Sequence, residues 1–197
     1  LCKTIKEDIN ISHIPVILLT ARDDRQSQIS GYKNGADGYL SKPFEVEMLM
    51  ELIRNRLKNR EYTKKRYLNA GLIPTPEEST ISLTDETFLI KLNSIIQENI
   101  ENSNLGIQFI CQEVGLGRSS LYNKLKALTG MGANEYISKL RIEKAITLIS
   151  GTDMPFSEIA EKTGFTTPSY FSTAFKQYTG ETPSQYKERK KKGLADK

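Results

Sequence analysis

The chain has 197 residues, of which 38% are apolar and 26% charged, and its formal net charge is +4. This composition is typical of one large or two small folded domains and excludes the class of intrinsically disordered chains. A single histidine and two cysteines far apart, Cys2 and Cys111, exclude a disulfide framework and argue against a Cys/His zinc site. The longest aliphatic stretch, residues 14–19, is too short for the roughly 20 residues of a membrane helix.

The chain begins with Leu1, and its first eight residues resemble the end of an amphipathic helix. We therefore expect it to be part of a longer protein. It shows no signal-peptide pattern of basic start, apolar middle and small-residue cleavage site. We expect a cytoplasmic location, where both thiols stay reduced.

Residues 1–60 alternate between strand and helix patterns. The β-branched run 14–20 is typical of a buried strand in a parallel sheet, and residues 38–41 predict a second strand. A helix that ends at Gly35 is predicted between them. A second helix follows and ends in the basic run near Arg60. Two parallel strands cannot bury both of their faces, so this α/β segment is predicted to be half a domain.

Residues 61–83 are predicted to be a linker because they lack a sustained period and contain Pro74 and Pro76. Thr84 is the predicted start of the helical region, with two acids, Asp85 and Glu86, near the positive end of the helix dipole. Every later element is predicted to be a helix.

Charge is distributed unevenly along the helical region. Residues 84–117 hold one basic and five acidic residues, whereas residues 118–197 hold fourteen basic and eight acidic ones. A positive C-terminal region suits an anionic partner. A solvated helix face together with the basic run from Lys187 to Lys192 would explain the same numbers. Residues 191–197 are predicted to be a basic tail.

An internal repeat with a spacing of about fifty residues lies in the C-terminal region. Each copy reads as a short helix, a glycine turn, a second helix and a Thr-Gly pair. The matching positions are Leu121, Leu125, Leu128, Thr129, Gly130 and Tyr136 with Phe171, Phe175, Tyr178, Thr179, Gly180 and Tyr186. A small residue in the first helix, Cys111 or Ala160, lets two helices cross closely, as in a helix-turn-helix unit.

The elements around the second copy have clear start signals. A long apolar helix over residues 136–149 joins the copies. Thr167 is predicted to cap the second helix of the second copy, with Pro168 in its first turn. A capping box at Thr182 and Gln185 predicts one further helix.

The second helix of each copy presents polar residues that suit DNA. Asparagine can read adenine and arginine can read guanine through two hydrogen bonds, whereas serine, threonine and lysine mostly contact phosphates or single base edges. The first helix offers Arg118, Ser119, Tyr122, Asn123, Lys124 and Lys126, and the second offers Ser169, Ser172, Thr173, Lys176 and Gln177. The first helix is therefore expected to carry more of the sequence specificity.

Residues 84–190 resemble the AraC-type DNA-binding domain. The resemblance rests on the glycine turns, the Leu140-Arg141 pair, the Ser169–Ser172 run and the two Thr-Gly pairs. It implies two helix-turn-helix units on a long helix, each placing a recognition helix in the DNA major groove. It assigns base-facing places to Ser119, Tyr122, Asn123, Pro168, Ser169, Ser172 and Thr173, with Thr167 beside them. Cys111 and the helix start at Pro155-Phe156 depart mildly from the family pattern.

Residues 1–60 resemble the second half of a two-component receiver domain, a flavodoxin-like fold. The resemblance implies that Thr20 is its switch hydroxyl, Tyr39 its switch aromatic and Lys42 its phosphoryl-pairing lysine, followed by a cis proline. The acidic pair and the phosphoryl-accepting aspartate of that family would lie before Leu1. We therefore expect that this chain is not phosphorylated by itself.

Three aspartates of this segment are predicted to be caps rather than phosphoryl acceptors. They lie at helix starts or after the wrong strand, and they are Asp23, Asp24 and Asp37. The exposed edges of a truncated sheet predict self-association through residues 14–60, or local disorder there.

No catalytic motif is evident. The chain has no phosphate-binding loop, no H-E-x-x-H and no G-x-S-x-G, and His13 beside Pro15 suits a turn. We expect no enzyme activity, no cofactor, no metal and no small-molecule substrate.

Together these patterns predict a mainly α chain, with a double helix-turn-helix domain after a partial α/β receiver segment. The predicted function is a sequence-specific transcription regulator, from a response regulator or a hybrid regulator. Its predicted partners are double-stranded DNA, a second copy of the chain and an upstream histidine kinase or kinase domain. The alternative is a protein-docking module that has lost DNA binding.

Overall fold

The computed structural model describes residues 1–21, 24–70 and 82–195 of the chain. These residues form two compact units, Leu1–Lys91 with Leu116–Met131, and Leu92–Gly115 with Gly132–Lys197. In chain order the elements are α1 (Cys2–Glu7), β1 (Ile17–Thr20), α2 (Arg25–Lys33), β2 (Gly38–Ser41), α3 (Val46–Ala70), α4 (Leu83–Glu98), α5 (Ile107–Val114), α6 (Arg118–Thr129), α7 (Ala133–Gly151), α8 (Phe156–Lys162), α9 (Pro168–Thr179) and α10 (Pro183–Ala195). The predicted mainly α fold class is confirmed.

The two strands of the first unit form a parallel pair. Ile17 aligns with Gly38, and Thr20 aligns with Ser41. The first strand is shorter than its apolar run, because Pro15 has no amide hydrogen to donate to a sheet. Leu19 is 42% exposed. The side of this strand that carries Leu19 is therefore partly open to solvent.

The start of α2 confirms one predicted cap and corrects another. The Asp24 carboxylate accepts a hydrogen bond from the Ser27 amide at 2.7 Å. Asp37 is not a helix cap: it accepts from the Val16 amide at 2.7 Å and pairs with the Lys6 ammonium at 2.7 Å. Asp23 lies outside the described residues.

The predicted linker is shorter than its sequence pattern indicated. Helix α3 continues to Ala70, so residues 61–70 are helical. The prolines predicted to mark the linker fall in residues 71–81, outside the described part. Helix α4 begins one residue earlier than predicted, because the Ser82 hydroxyl accepts from the Asp85 amide at 3.2 Å. The hydroxyl of Thr84 instead donates to the Lys6 carbonyl at 3.0 Å.

The second unit has one aromatic-rich core. Its buried residues come from α7, α8, α9, α10 and the turn between α8 and α9, and they are Ile142, Ala145, Ile149, Ile159, Ala160, Phe165, Phe171, Phe175 and Tyr186. Consecutive rings lie 5.4–5.7 Å apart from Phe165 through Phe171 and Phe175 to Tyr186. These separations are in the range that favours tilted and edge-to-face aromatic pairs. The core therefore fixes α9 from its inner side.

The internal repeat is visible in the backbone. Gly115 and Gly164 have φ angles of 73° and 71°, and Gly130 and Gly180 have 80° and 84°. The two Thr-Gly pairs also match in their side chains, since Thr129 and Thr179 each donate to the carbonyl four residues earlier at 2.8 Å. Equivalent turns therefore end equivalent helices in both copies.

No described helix is both long and apolar enough to cross a membrane.

Candidate nucleic-acid interface

The first candidate recognition helix is α6. It follows the left-handed turn at Gly115 and begins after Gly117. Its inner stripe is formed by three leucines that are at most 4% exposed, Leu121, Leu125 and Leu128. On its outer side the exposed polar residues are Arg118, Ser119, Tyr122, Asn123 and Lys126. The helix thus separates an anchoring face from a polar face.

The second candidate recognition helix is α9, in the other unit. The predicted cap is confirmed: the Thr167 hydroxyl accepts from the Tyr170 amide at 3.1 Å, and Pro168 opens the helix. Phe171 and Phe175 are fully buried against the core. The predicted residues Thr167, Pro168, Ser169, Thr173 and Lys176 are exposed, and Ser172 is half-buried. The same division into anchoring and polar faces is therefore present here.

Both helices carry an electrostatic character that suits an anionic ligand. Helix α6 contains three basic residues, of which Arg118 and Lys126 are exposed, and no acidic residue, and α9 contains one basic residue and no acidic residue. A DNA duplex carries one negative charge per roughly 1.7 Å of its axis, so acidic groups on a groove-facing helix would oppose binding. Hydroxyl, amide and guanidinium groups on these faces can donate to phosphates and to base edges.

The structure corrects the prediction for Lys124. Its side chain is fully buried, and its ammonium group forms an ion pair with Asp85 and donates to the Ser12 hydroxyl at 2.7 Å. A phosphate contact needs an exposed ammonium, so Lys124 is not a DNA-contacting residue here. Its position in the helix explains this, because it lies on the same side as Leu121 and Leu128.

The internal repeat of the sequence already indicated that Lys124 faces inward. At a spacing of fifty residues Lys124 corresponds to Ala174, which is partly buried and packs against the core of the second unit. The position is therefore inward-facing in both copies. Residue type alone favoured a surface lysine, whereas the register of the repeat indicated the interior.

Arg141 has a structural role that the sequence did not reveal. Its guanidinium donates to the Asn102 carbonyl at 2.7 Å and lies 5.9 Å from the Phe165 ring centre. Burial is the main cause that lowers the pKa of this guanidinium. The side chain also lies beside Gly164, the turn between α8 and α9. It therefore fixes the turn that leads into the second recognition helix.

The predicted receiver switch residues lie in the first unit, near the carboxyl ends of its strands. The Lys42 amide donates to the Thr20 carbonyl at 2.7 Å, and the Lys42–Pro43 peptide bond is cis, as predicted. Tyr39 is half-buried, and its ring lies close to Gly31 of α2. Thr20 and Lys42 thus come together at one sheet edge. No group of three metal-ligating side chains occurs among the described residues.

Two family models match the chain. Residues 110–189 match the helix-turn-helix domain family, and residues 1–54 match the response regulator receiver domain family. The predicted linker, residues 61–83, falls in the interval between these two matches, residues 55–109.

The chain is also similar to individual proteins over parts of their length. The chain is 42% identical over 189 residues to histidine kinase P4 of Formosa agariphila, covering 96% of this chain and 14% of that protein. It is 33% identical over 121 residues to the transcriptional regulatory protein YesN of Bacillus subtilis, covering 60% of this chain and 32% of that one. A solved AraC-type regulator from Chromobacterium violaceum shares 25% identity with a TM-score of 0.50, covering 53% of this chain and 93% of that one.

The chain thus spans only about a seventh to a third of the length of these curated relatives. Its helical region matches AraC-type domains along their length, and its first 54 residues match receivers. Residues 110–189 are therefore a helix-turn-helix domain of the AraC type, and residues 1–54 before it are a segment of the response regulator receiver domain family.

Proposed function

We propose that this chain is the sequence-specific DNA-binding output part of a two-component transcription regulator. The observation that carries the proposal is the pair of helices α6 and α9, each anchored by large apolar residues on one face and presenting an acid-free polar face to solvent. Such a face suits the major groove, which admits a helix and displays a distinct donor and acceptor pattern for each base pair. Nothing in this proposal gives the chain a catalytic role.

The polar faces of α6 and α9 are proposed to make different kinds of contact with DNA. On α6, Asn123 and Arg118 would read bases, with Ser119 and Tyr122 beside them. On α9, Ser169 and Thr173 would contact single base edges or phosphates, and Lys176 would contact a phosphate. Pro168, Thr167 and Ser172 complete the second face. The domain is proposed to span residues 84–190, with residues 191–197 as a basic tail.

The parent protein is proposed to be a hybrid regulator that also contains a kinase domain. The support is the match to histidine kinase P4, which extends over 96% of this chain and includes both the receiver segment and the helical region. A kinase domain of the same polypeptide would then be the upstream partner. We propose that the protein acts on chromosomal DNA in the cytoplasm and that it binds as a homodimer.

Selection of bound duplexes from a random pool would test the proposal. The chain should enrich one sequence, and its affinity for that sequence should fall steeply as salt rises, because phosphate contacts release counterions. A matched control is Gln97→Ala, which removes an exposed side chain of α4 and should bind as the unaltered chain does. Absence of binding to any duplex at low salt would contradict the proposal and favour the protein-docking alternative.

A further inference from the structure

A buried polar cluster connects the receiver segment with the first recognition helix. The Ser12 hydroxyl donates to the Asp85 carboxylate at 2.8 Å and accepts from the Lys124 ammonium at 2.7 Å. Lys124 and Asp85 also form a direct ion pair. All three residues belong to the same compact unit, and each is at most 2% exposed.

Because this cluster is buried, its charged groups must keep the partners that replace their hydration. A charge removed from water is strongly unfavourable unless other groups replace its hydration. The Lys124 ammonium receives that replacement from the carboxylate, from the Ser12 oxygen and from the Phe88 ring, whose centre lies 5.1 Å away. Displacement of any one group would leave a buried charge incompletely satisfied.

The segment that carries Ser12 is itself fixed to the receiver sheet. The Lys6 ammonium, at the end of α1, pairs with Asp37 beside β2 and donates to the Ile14 carbonyl at 2.8 Å. The Lys6 carbonyl accepts from the Thr84 hydroxyl at 3.0 Å. The end of α1 is therefore bonded to Asp37 beside β2, to the turn before β1 and to the start of α4. Helix α3 of the same segment packs against α6.

The cluster holds α6 by its inner side. Lys124 lies on the side of Leu121 and Leu128, opposite to the exposed Arg118 and Asn123. The receiver contact consequently leaves the polar face open to solvent. A contact of this kind sets the position of the helix and does not cover its DNA-binding face.

We propose that Ser12 is a positioning residue through which the receiver segment fixes recognition helix α6. The Ser12 hydroxyl completes the hydrogen bonding of the Asp85–Lys124 pair, so a movement of the receiver turn changes the placement of α6. Helix α9 belongs to the other compact unit and is expected to be unaffected. The part of this proposal that concerns DNA recognition rests on the proposed function.

Two measurements on the full chain test this proposal. Ser12→Ala should raise amide hydrogen exchange in α6 by at least about fivefold, because a hydrogen bond to charged groups is lost, and should leave exchange in α9 unchanged. With the selected duplex, the same variant should lose at least about fivefold of its base discrimination at the positions altered by Asn123→Ala, and none at those altered by Ser169→Ala. Ser30→Ala, which removes an exposed serine of α2, is the matched control.

A conservative variant distinguishes the hydrogen bonds of the Ser12 hydroxyl from the packing of its side chain. Ser12→Thr keeps the donor and acceptor and should restore both slow exchange in α6 and the base discrimination. A Ser12→Thr chain as impaired as Ser12→Ala would overturn the proposal, and so would Ser12→Ala behaving like Ser30→Ala. If no variant binds DNA, the proposed function fails, and the exchange measurement still decides the role of Ser12 in holding α6.

Discussion

A Cβ atom at position 164 would lie 2.2 Å from the carbonyl oxygen of Ile100. That distance is well inside van der Waals contact, and the Arg141 guanidinium approaches the same point at 2.9 Å. Gly164 also has a φ of 71°, a conformation that residues with a side chain rarely adopt. The turn between α8 and α9 therefore requires glycine for two independent reasons.

Gly164→Ala is expected to destabilise the chain by more than about 3 kcal/mol, because backbone strain and the steric clash add. Its repeat counterpart provides the control. Gly115 has a φ of 73° but no atom within 4 Å of the equivalent Cβ, so Gly115→Ala should cost only about 1–2 kcal/mol of strain. Urea unfolding of the two variants measures the difference, and equal losses would contradict this account of the turn.

The Asp85–Lys124 pair should behave as a strongly coupled unit. Asp85→Ala and Lys124→Met should each lower the free energy of unfolding by about 3–5 kcal/mol, because each leaves one buried charge unpaired. The double variant should cost clearly less than the sum of the two. A double-mutant cycle by urea unfolding measures the coupling, and strictly additive losses would show that the pair contributes nothing specific.

Asn123→Ala is expected to relax base choice at one position of the selected duplex. The loss for the preferred base should be about 1–3 kcal/mol, because the bidentate contact to adenine proposed for Asn123 would disappear. Binding to the duplex and to its single-base variants measures this. Asn104→Ala, an exposed asparagine outside both recognition helices, is the control and should keep the full preference. Equal weakening on every base would assign Asn123 to the phosphate backbone instead.

Lys176→Ala is expected to weaken binding to all duplexes alike. One phosphate contact contributes about 0.9 to the slope of log affinity against log salt, so this slope should fall by about one. Titrations at several salt concentrations measure it. Lys91→Ala removes an exposed lysine of α4 and should leave the slope unchanged. The assignment of Lys176 would be wrong if both variants gave the same slope.

Alkaline pH should destabilise the second unit through Tyr136. Burial is the main cause that raises the pKa of this phenol to about 12 from 10.0, and the phenol donates a hydrogen bond to the Asn93 side chain at 2.8 Å. In the unfolded chain the phenol ionises first, so its contribution to stability is complete below pH 10 and is lost as the pH rises towards 12. The loss at pH 11 relative to pH 8 should be about 1 kcal/mol.

Urea unfolding of Tyr136→Phe at both pH values isolates this contribution. The variant should lose about 1 kcal/mol of stability at pH 8 through the missing hydrogen bond, and it should show a smaller further loss at pH 11. Asn93→Ala removes the acceptor but keeps the phenol, and it should retain the alkaline loss. An unchanged pH dependence in Tyr136→Phe would exclude Tyr136 as its source.

The sequence alone determined the two helix-turn-helix copies, the strand–helix–strand order of the receiver segment and the polar faces of α6 and α9. Those features depend on local rules, such as the glycine that ends a helix, the cap at Thr167 and the spacing of apolar residues. The tertiary structure decided the partners of Lys124, the partners of Asp37 and the steric constraint on Gly164. Lys124 meets residues 39 and 112 positions away, and no local pattern encodes such a distant pairing. A buried charge takes its role from the groups that replace its water, and only the folded chain brings those groups together.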